Sequence, residues 1–365
     1  MKKIFIPVII LVLVILAGWF LLRDKEIPLV ETIVDGLPFG SGENQRPTTN
    51  DLQPKTEEGD GGSNQLGGET AKLMRISDTP VAGFVVLKNA VRYVDRATGH
   101  IYDFNLATRE RVKIVNQTLP KIYEAHFKPD GNTVLLRYLK NDSDTVENLS
   151  LTLTPPPTAT SSLYKITSTL LRGYTGPVAI NSPFTDWAFS DGKKVVAYTK
   201  PSSDAPGYAY SMSASGGLSK ILGPLNGLVA LINADGSRIL YSHVEDGETK
   251  LFSRSLANNS SSEVLPATLA EKCVWSAKNA ELVFCGVPAY APKTGELDNW
   301  YKGAIHFSDN LWSFDTDTEV AQFLAEPKVD ISTDLDVYQP KLSPNEDYLV
   351  FINKNDLSLW ALKLQ

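Results

Sequence analysis

A recurring motif along residues 71–365 constrains the fold more than any other feature of the chain. Each copy is a strand-like segment, a tight polar turn and then a strongly apolar segment. Asp-Gly supplies the backbone angles of a tight hairpin, and an uninterrupted apolar strand is typical of burial on both faces. The turns begin near Asp130, Asp191, Asp235, Asn279 and Asn345.

Two further elements accompany this motif. An aliphatic–aromatic strand of period two occurs in six copies, at 101–106, 149–153, 209–212, 251–256, 311–314 and 359–364. A shorter strand follows at 111–114, 219–222, 263–265 and 322–324. Four short strands in each repeat of roughly 40–60 residues are the pattern of a propeller blade. The sequence therefore predicts an all-β fold, a six-bladed β-propeller, with an open ring of seven blades or a short solenoid as the alternative.

The turn sequences also carry a family resemblance. Pro-Asp-Gly at residues 129–131 and the Asp-Gly turns resemble those of the TolB-like and WD40-like β-propeller repeat families. The resemblance covers about residues 71–365. It implies the fold and leaves the function open, because propellers host many unrelated activities.

The last repeat lacks its outer strand, since only three strand patterns follow one another before Gln365. The pattern Leu-Met-Arg-Ile at 73–76 matches Arg-Val-Lys-Ile at 111–114. We therefore expect residues 71–77 to pair with 359–364 and to complete the last blade. Such pairing removes an exposed sheet edge and closes the ring.

The N-terminus predicts a membrane anchor. Residues 4–22 are apolar and uncharged, and Lys2 and Lys3 precede them. At about 1.5 Å per helical residue, this length matches the hydrocarbon core of a bilayer. A cleaved signal peptide is the alternative, but bulky Trp19 and Phe20 stand where small residues are expected. The positive start places residues 1–3 in the cytoplasm and the propeller outside, on a single-pass cell-membrane protein.

Residues 23–70 are predicted to be a flexible linker. The stretch is rich in Gly, Pro, Asn, Gln, Thr, Asp and Glu. Such a composition buries too little apolar surface to offset the entropy lost on ordering. It is typical of a disordered tether between the anchor and the propeller.

Charge and composition exclude several classes of function. The formal net charge is −7, and the lysines and arginines are spread thinly, so no nucleic-acid partner is predicted. With 2 cysteines and 4 histidines, a structural zinc site is not expected. No nucleophile elbow, phosphate loop or dinucleotide fingerprint occurs, so we predict no catalytic residue, no metal and no cofactor.

The two cysteines leave two interpretations open. Cys273 and Cys285 lie at equal distances from Asn279, the centre of a predicted hairpin turn. They should therefore face each other across two strands, where a disulfide can form in an oxidising compartment. The alternative is a pair of buried free thiols.

Long loops collect on one face of the predicted propeller. The insert of the fifth repeat, at 286–310, and the connection into the sixth, at 328–339, combine aromatic and acidic residues. Exposed aromatic rings beside carboxylates suit binding of a protein or a glycan. The alternative is that the aromatic residues pack the insert onto the ring. The candidate binding residues are Tyr290, Asp298, Trp300, Tyr301, His306, Asp334 and Asp336.

These patterns favour a non-catalytic interaction or ligand-binding module anchored to the membrane through residues 4–22. Its expected partner is a protein or glycan of the cell envelope. The alternative is a glycan-binding or glycan-cleaving enzyme with carboxylates over the central channel, and two facing carboxylates there would favour it.

Overall fold

The computed structural model describes residues 72–140, 145–157, 162–171, 187–190, 194–213 and 217–364. The predicted anchor at 4–22 and the predicted linker at 23–70 precede these residues, and the structure therefore does not test them. Within the described ranges, no helix is both long and apolar enough to cross a bilayer.

The described strands form six antiparallel sheets of four strands each. The first two sheets contain β2 (Val81–Val86), β3 (Ala90–Asp95), β4 (Ile101–Asn105), β5 (Arg111–Val115), and β6 (Ile122–Phe127), β7 (Thr133–Leu139), β8 (Val146–Thr154), β9 (Lys165–Leu171). The third and fourth contain β10 (Trp187–Ser190), β11 (Val195–Thr199), β12 (Pro206–Met212), β13 (Leu218–Asn226), and β14 (Val229–Ile232), β15 (Arg238–Glu245), β16 (Glu248–Ser255), β17 (Ser261–Glu263).

The last two sheets are built in the same way, except for one strand. They contain β18 (Cys273–Trp275), β19 (Leu282–Pro288), β20 (Asp309–Asp315), β21 (Val320–Ala325), and β22 (Val337–Leu342), β23 (Tyr348–Asn353), β24 (Leu359–Lys363) with β1 (Leu73–Arg75). The short helices are the 3₁₀-helix η1 (Ala270–Lys272), α1 (Glu296–Tyr301) and α2 (Pro327–Asp330).

The sixth sheet takes its outer strand from the beginning of the described chain. β1 lies antiparallel to β24, and Leu73, Met74 and Arg75 oppose Leu362, Ala361 and Trp360. This is the pairing expected from the matching sequence patterns. Because β1 covers the outer edge of β24, the last three strands of the chain do not end as an open sheet.

The Asp-Gly turns at 130–131 and 235–236 fold as their sequences indicate, and the turn at 191–192 lies outside the described residues. Gly131 and Gly236 have φ of 70° and 76°, a region that glycine enters without steric cost. The Asp130 carboxylate accepts a hydrogen bond from the Asn132 N–H at 2.9 Å. The hairpin of the first sheet carries no such signal, because it turns through Leu87 to Ala90 without a glycine. The repeat pattern therefore gave no sign of β2 and β3.

Apolar side chains between neighbouring sheets form the core. Val94, Ile101, Val134, Leu136 and Leu153 are all at most 2% exposed and pack between the first and second sheets. Inner strands approach closely, since a Cβ at Gly83 would lie 1.9 Å from the Ala125 carbonyl oxygen. Polar contacts also join neighbouring sheets, including Arg92 to Gly131, Ser190 to Ile232, Leu231 to Trp275, Ser276 to Glu346 and Lys341 to Phe84. The fold is that of a β-propeller.

Strand connectivity places the long connections together. In each sheet, the second-to-third connection lies at the same end as the connection to the next sheet. This end carries η1, α1 and α2, together with the β11–β12 and β23–β24 connections. We refer to it as the insert face.

Candidate functional site

The β19–β20 connection, residues 289–308, is the largest described segment of the insert face, and we call it the insert. It packs on the fourth sheet, where the Thr249 N–H donates to the Pro292 carbonyl and the Thr294 N–H donates to the Gly247 carbonyl. It also meets the β11–β12 connection, because the Ser203 N–H donates to Asp298 Oδ2 at 2.9 Å. The insert is therefore attached to sheets beyond its own.

Trp300 is buried under the insert, contrary to the expectation of an exposed aromatic residue. Its side chain is 0% exposed and packs with Leu269, Leu297 and Phe307 in a small apolar cluster. The indole N–H donates to Asp336 Oδ2 at 2.9 Å, and Asp336 is also 0% exposed. Trp300 and Asp336 thus attach the insert to the propeller and cannot contact a partner at the surface. This correction matches the alternative in which aromatic residues pack the insert onto the ring.

A buried ionic cluster lies directly below Trp300. The Lys272 ammonium donates to Asp309 Oδ2 at 2.6 Å and also to Asp336. All three side chains are 0% exposed. The ammonium lies 5.1 Å from the centroid of the Trp300 ring, within the range of a cation–π interaction. We call Lys272, Asp309 and Asp336 the ionic cluster.

The ionic cluster draws its members from separate connections. Lys272 ends η1, Asp309 begins β20, and Asp336 immediately precedes β22. Asp309 and Asp336 also accept backbone hydrogen bonds, from the Val337 and Phe307 N–H groups. Burial, together with the neighbouring Asp336, raises the pKa of Asp309 to about 6 despite the opposing effect of Lys272. The cluster therefore joins the fifth and sixth sheets and the insert at one point.

A pocket of about 410 Å³ opens beside this cluster. Tyr198 is its buried member and Glu271 is partly buried, and we call these two residues the floor. Lys200 and Lys302 are exposed, and we call them the rim. Such a volume falls within the range of small-ligand sites. The lining residues of this Glu271 pocket are Tyr198, Lys200, Pro201, Glu271, Asp298, Tyr301 and Lys302.

Glu271 is the central polar group of the pocket. It precedes Lys272 in η1, so the backbone ties it to the ionic cluster. Tyr301 donates its hydroxyl hydrogen to the Glu271 carboxylate. Burial raises the pKa of Glu271, although Tyr301, Lys354 and Lys272 act in the opposite direction. The floor therefore disfavours the charged form of this carboxyl group.

The three tyrosines around Glu271 all have a raised pKa. Burial raises the pKa of Tyr198 and of Tyr301, and the nearby Glu271 adds to both shifts. The same causes raise the pKa of Tyr338 to about 12. These phenols stay protonated at neutral pH and keep hydroxyl groups that can donate hydrogen bonds. A phenol with a raised pKa is poorly suited to act as a nucleophile.

Asp298 lines the pocket but is already hydrogen-bonded. Burial alone would raise its pKa, but hydrogen bonds from Ser203 and Ser202 outweigh burial, and the pKa of Asp298 lies below its usual value. Asp298 thus remains charged and positions the β11–β12 connection against α1.

The predicted site residues divide into three groups. Asp298 and Tyr301 line the Glu271 pocket, and Trp300 and Asp336 lie beneath it. The other predicted residues are exposed and do not line it. Tyr290 is 55% exposed, His306 Nδ1 lies 3.9 Å from Asp336 Oδ2, and Asp334 accepts the Ser308 hydroxyl hydrogen at 2.8 Å.

The sequence analysis missed Glu271, Lys272, Tyr198 and the two rim lysines. Glu271 and Lys272 stand directly before the buried strand β18, in a connection whose other residues, 264–270, are mainly apolar. Two charged residues at the end of a mainly apolar connection, next to a buried strand, were therefore the one sequence signal that could have marked this site. Tyr198 and Lys200 belong to a different sheet, so only the fold brings them beside Glu271.

Cys273 and Cys285 form a disulfide. They are opposite one another in the β18–β19 register, and their Cα atoms are 4.1 Å apart. This bond directly follows Glu271 and Lys272 in the chain. It therefore fixes the start of β18, which directly follows the 3₁₀-helix that carries both side chains.

Across the described residues, no group of three or more His, Cys, Asp and Glu side chains is arranged to hold a metal ion.

Comparisons with known proteins bear on the fold alone. No family model matches the chain, and no curated protein matches it. A structure described as TolB from Agrobacterium tumefaciens has 12% identity and a TM-score of 0.40, and the match covers 80% of this chain and 97% of that one. The β-propeller domain of the Trilobed protease from Pyrococcus furiosus has 11% identity and a TM-score of 0.43, over 78% and 93%.

An oligogalacturonate lyase in complex with manganese is also similar, with 13% identity and a TM-score of 0.36, over 76% of this chain and 74% of that one. The fold-level resemblance to TolB-like propellers is consistent with the sheet topology. At these TM-scores and identities, the similarities carry no argument about binding or catalysis.

Proposed function

We propose that this protein is a membrane-anchored, extracytoplasmic β-propeller of six blades that binds a protein or glycan of the cell envelope without catalysis. The observation that carries this proposal is the Glu271 pocket on the insert face. It combines aromatic walls, a partly buried carboxyl group and exposed lysines in a volume suited to one chemical group of a ligand.

Two features support the location. Residues 4–22 are long and apolar enough to span a bilayer, with lysines on the N-terminal side. The disulfide between Cys273 and Cys285 is typical of proteins that fold in an oxidising compartment. Both features favour a propeller outside the cytoplasm, with the linker giving the insert face room to reach a partner.

Site-specific photo-crosslinking in the native membrane tests the proposal. The full-length protein would carry a photoreactive residue at Lys302, on the rim of the pocket. A matched variant would carry it at Asn279, in the β18–β19 turn at the other end of the fifth sheet. We expect one specific partner to be captured from Lys302 and not from Asn279. Equal capture from both positions, or no specific capture from Lys302, would contradict the proposal.

One observation favours the alternative of a glycan-cleaving enzyme. Glu271 and Asp298 line the same pocket, and paired carboxyl groups are the usual catalysts of glycoside hydrolysis. Asp298 is occupied by the Ser203 N–H and Glu271 by the Tyr301 hydroxyl, which favours binding. Incubation of envelope glycans with the wild-type protein and with Asp298→Asn separates the two. Product formation only with the wild type would establish the enzyme.

A further inference from the structure

We propose that the Glu271 pocket takes a zwitterionic amine, with its ammonium group at the floor against Glu271 and its anionic group at the rim beside Lys302. This inference rests on the proposed function for the binding role of the same pocket, and it names the charged groups that the ligand would present there, whatever molecule carries them. It follows from the charge and chemistry of the lining residues.

The floor lacks a cation. Among the described residues, the Glu271 carboxylate accepts one hydrogen bond, from Tyr301, and forms no ion pair. An unpaired, partly buried carboxyl group is costly, which is why burial raises its pKa. A ligand ammonium group placed there would supply the missing counter-charge and restore the ionised form.

Lys272 and Lys354 act on Glu271 from a distance, but neither forms an ion pair with it among the described contacts. Lys272 is engaged by Asp309 and Asp336 in the ionic cluster. The Lys354 ammonium lies over the Trp300 ring, 4.7 Å from its centroid. These two ammonium groups face three carboxyl groups, because Glu271 adds to the two of the cluster. Within this set of five groups, the negative charges therefore exceed the positive ones by one when all are ionised.

Aromatic faces favour the same kind of ligand group. Tyr198 and Tyr301 line the pocket beside Glu271. Their rings carry a negative quadrupole on each face, and such faces attract ammonium groups. A carboxylate flanked by aromatic rings is a favourable environment for an organic cation.

The rim has the opposite charge. Lys200 and Lys302 line the entrance of the same pocket and are exposed. The Lys302 ammonium disfavours a ligand that is only cationic and attracts an anionic group held outside the floor. Only a ligand with both charges satisfies the floor and the rim together.

Titration calorimetry with the full-length protein in detergent tests this assignment. The probes are phosphoethanolamine, ethanolamine and inorganic phosphate, which separate the zwitterion from its two halves. We expect phosphoethanolamine to bind at least about 10-fold more tightly than either half, because only the zwitterion makes both charged contacts at once. Equal affinity for phosphoethanolamine and phosphate would overturn the proposal.

Two variants assign the ends of the ligand. Glu271→Gln keeps the shape and the acceptor for Tyr301, and should weaken phosphoethanolamine binding about 10-fold without changing phosphate binding. Lys302→Gln should weaken binding of both phosphate-bearing probes and spare ethanolamine. Glu319→Gln, an exposed carboxyl group in the β20–β21 turn, is the matched control. An unchanged affinity in Glu271→Gln would refute the role of the floor.

Vesicles identify the source of the ligand chemistry. Binding through the pocket to phosphatidylethanolamine vesicles, and not to phosphatidylglycerol vesicles, assigns a lipid headgroup. Binding of soluble phosphoethanolamine alone assigns a free small molecule. If no zwitterionic probe binds while Lys302 still crosslinks one specific partner, the ligand class is wrong and the proposed function stands.

Discussion

Two buried ion pairs in this propeller differ in how completely they are removed from water. Arg92 and Asp103 pair within the first sheet through two hydrogen bonds, at 2.7 and 2.8 Å, with side chains 4% and 23% exposed. Lys272, Asp309 and Asp336 are all 0% exposed. The first pair also reaches the second sheet through Gly131, whereas the ionic cluster lies below the Glu271 pocket.

The difference shows two uses of the same interaction. Removing charges from water costs about as much as pairing returns, so a buried ion pair contributes little net stability over an apolar replacement. What such a pair provides is a defined geometry, because each charge tolerates few alternative positions. Arg92 fixes the seam between two sheets. The ionic cluster fixes the insert and η1, which carry Tyr301 and Glu271.

Lys272→Met should have the largest effect on stability. Asp309 and Asp336 would remain buried without their cation, and breaking a buried pair costs about 3–5 kcal/mol. Urea unfolding of the propeller measures the loss, with Lys302→Met, an exposed lysine of the same face, as the control. Adding Asp309→Asn and Asp336→Asn to Lys272→Met should recover most of it. A loss below about 1 kcal/mol in Lys272→Met would show that the cluster is not desolvated.

This cluster also shows where prediction from the sequence ends. The repeats indicated four strands per sheet, and the pattern at 73–76 indicated the partner of β24, because both depend on local periodicity. Trp300 and Asp336 were recognised as notable but expected at the surface. Both contact Lys272, which lies 28 and 64 residues away from them respectively and had no motif to mark it.

Arg92→Leu should have the second-largest effect. It leaves Asp103 unpaired, but this carboxylate is 23% exposed and can recruit water. We therefore expect a loss of about 1–3 kcal/mol in the same urea assay, smaller than for Lys272→Met. The Tyr164 hydroxyl, 3.1 Å from Arg92, would also lose its partner. If Arg92→Leu lowered the free energy of unfolding as much as Lys272→Met does, the different burial of the two sites would have no effect on stability.

The pH dependence of stability should also distinguish the ionic cluster from the Arg92–Asp103 pair. The folded pKa of Asp309 is raised to about 6, above that of an unfolded Asp, so the folded state binds the proton more tightly. Its stabilising contribution is complete below the unfolded pKa and is lost as pH rises through about 6. Relative to Asp309→Asn, the wild type should lose roughly 1 kcal/mol between pH 5 and pH 7. A parallel pH dependence of the two proteins would contradict the raised pKa.

The smallest effect on the free energy of unfolding is expected for an exposed ion pair, which serves as the reference for the two buried sites. Arg238 lies 3.3 Å from Asp317, whose side chain is 70% exposed. Exposed pairs contribute about 0–1 kcal/mol, because water screens the attraction and the side chains lose entropy on pairing. Asp317→Asn should therefore change the free energy of unfolding by less than about 1 kcal/mol, and added salt should reduce the difference further. If Asp317→Asn cost as much as Arg92→Leu, burial would not be the property that ranks these ion pairs.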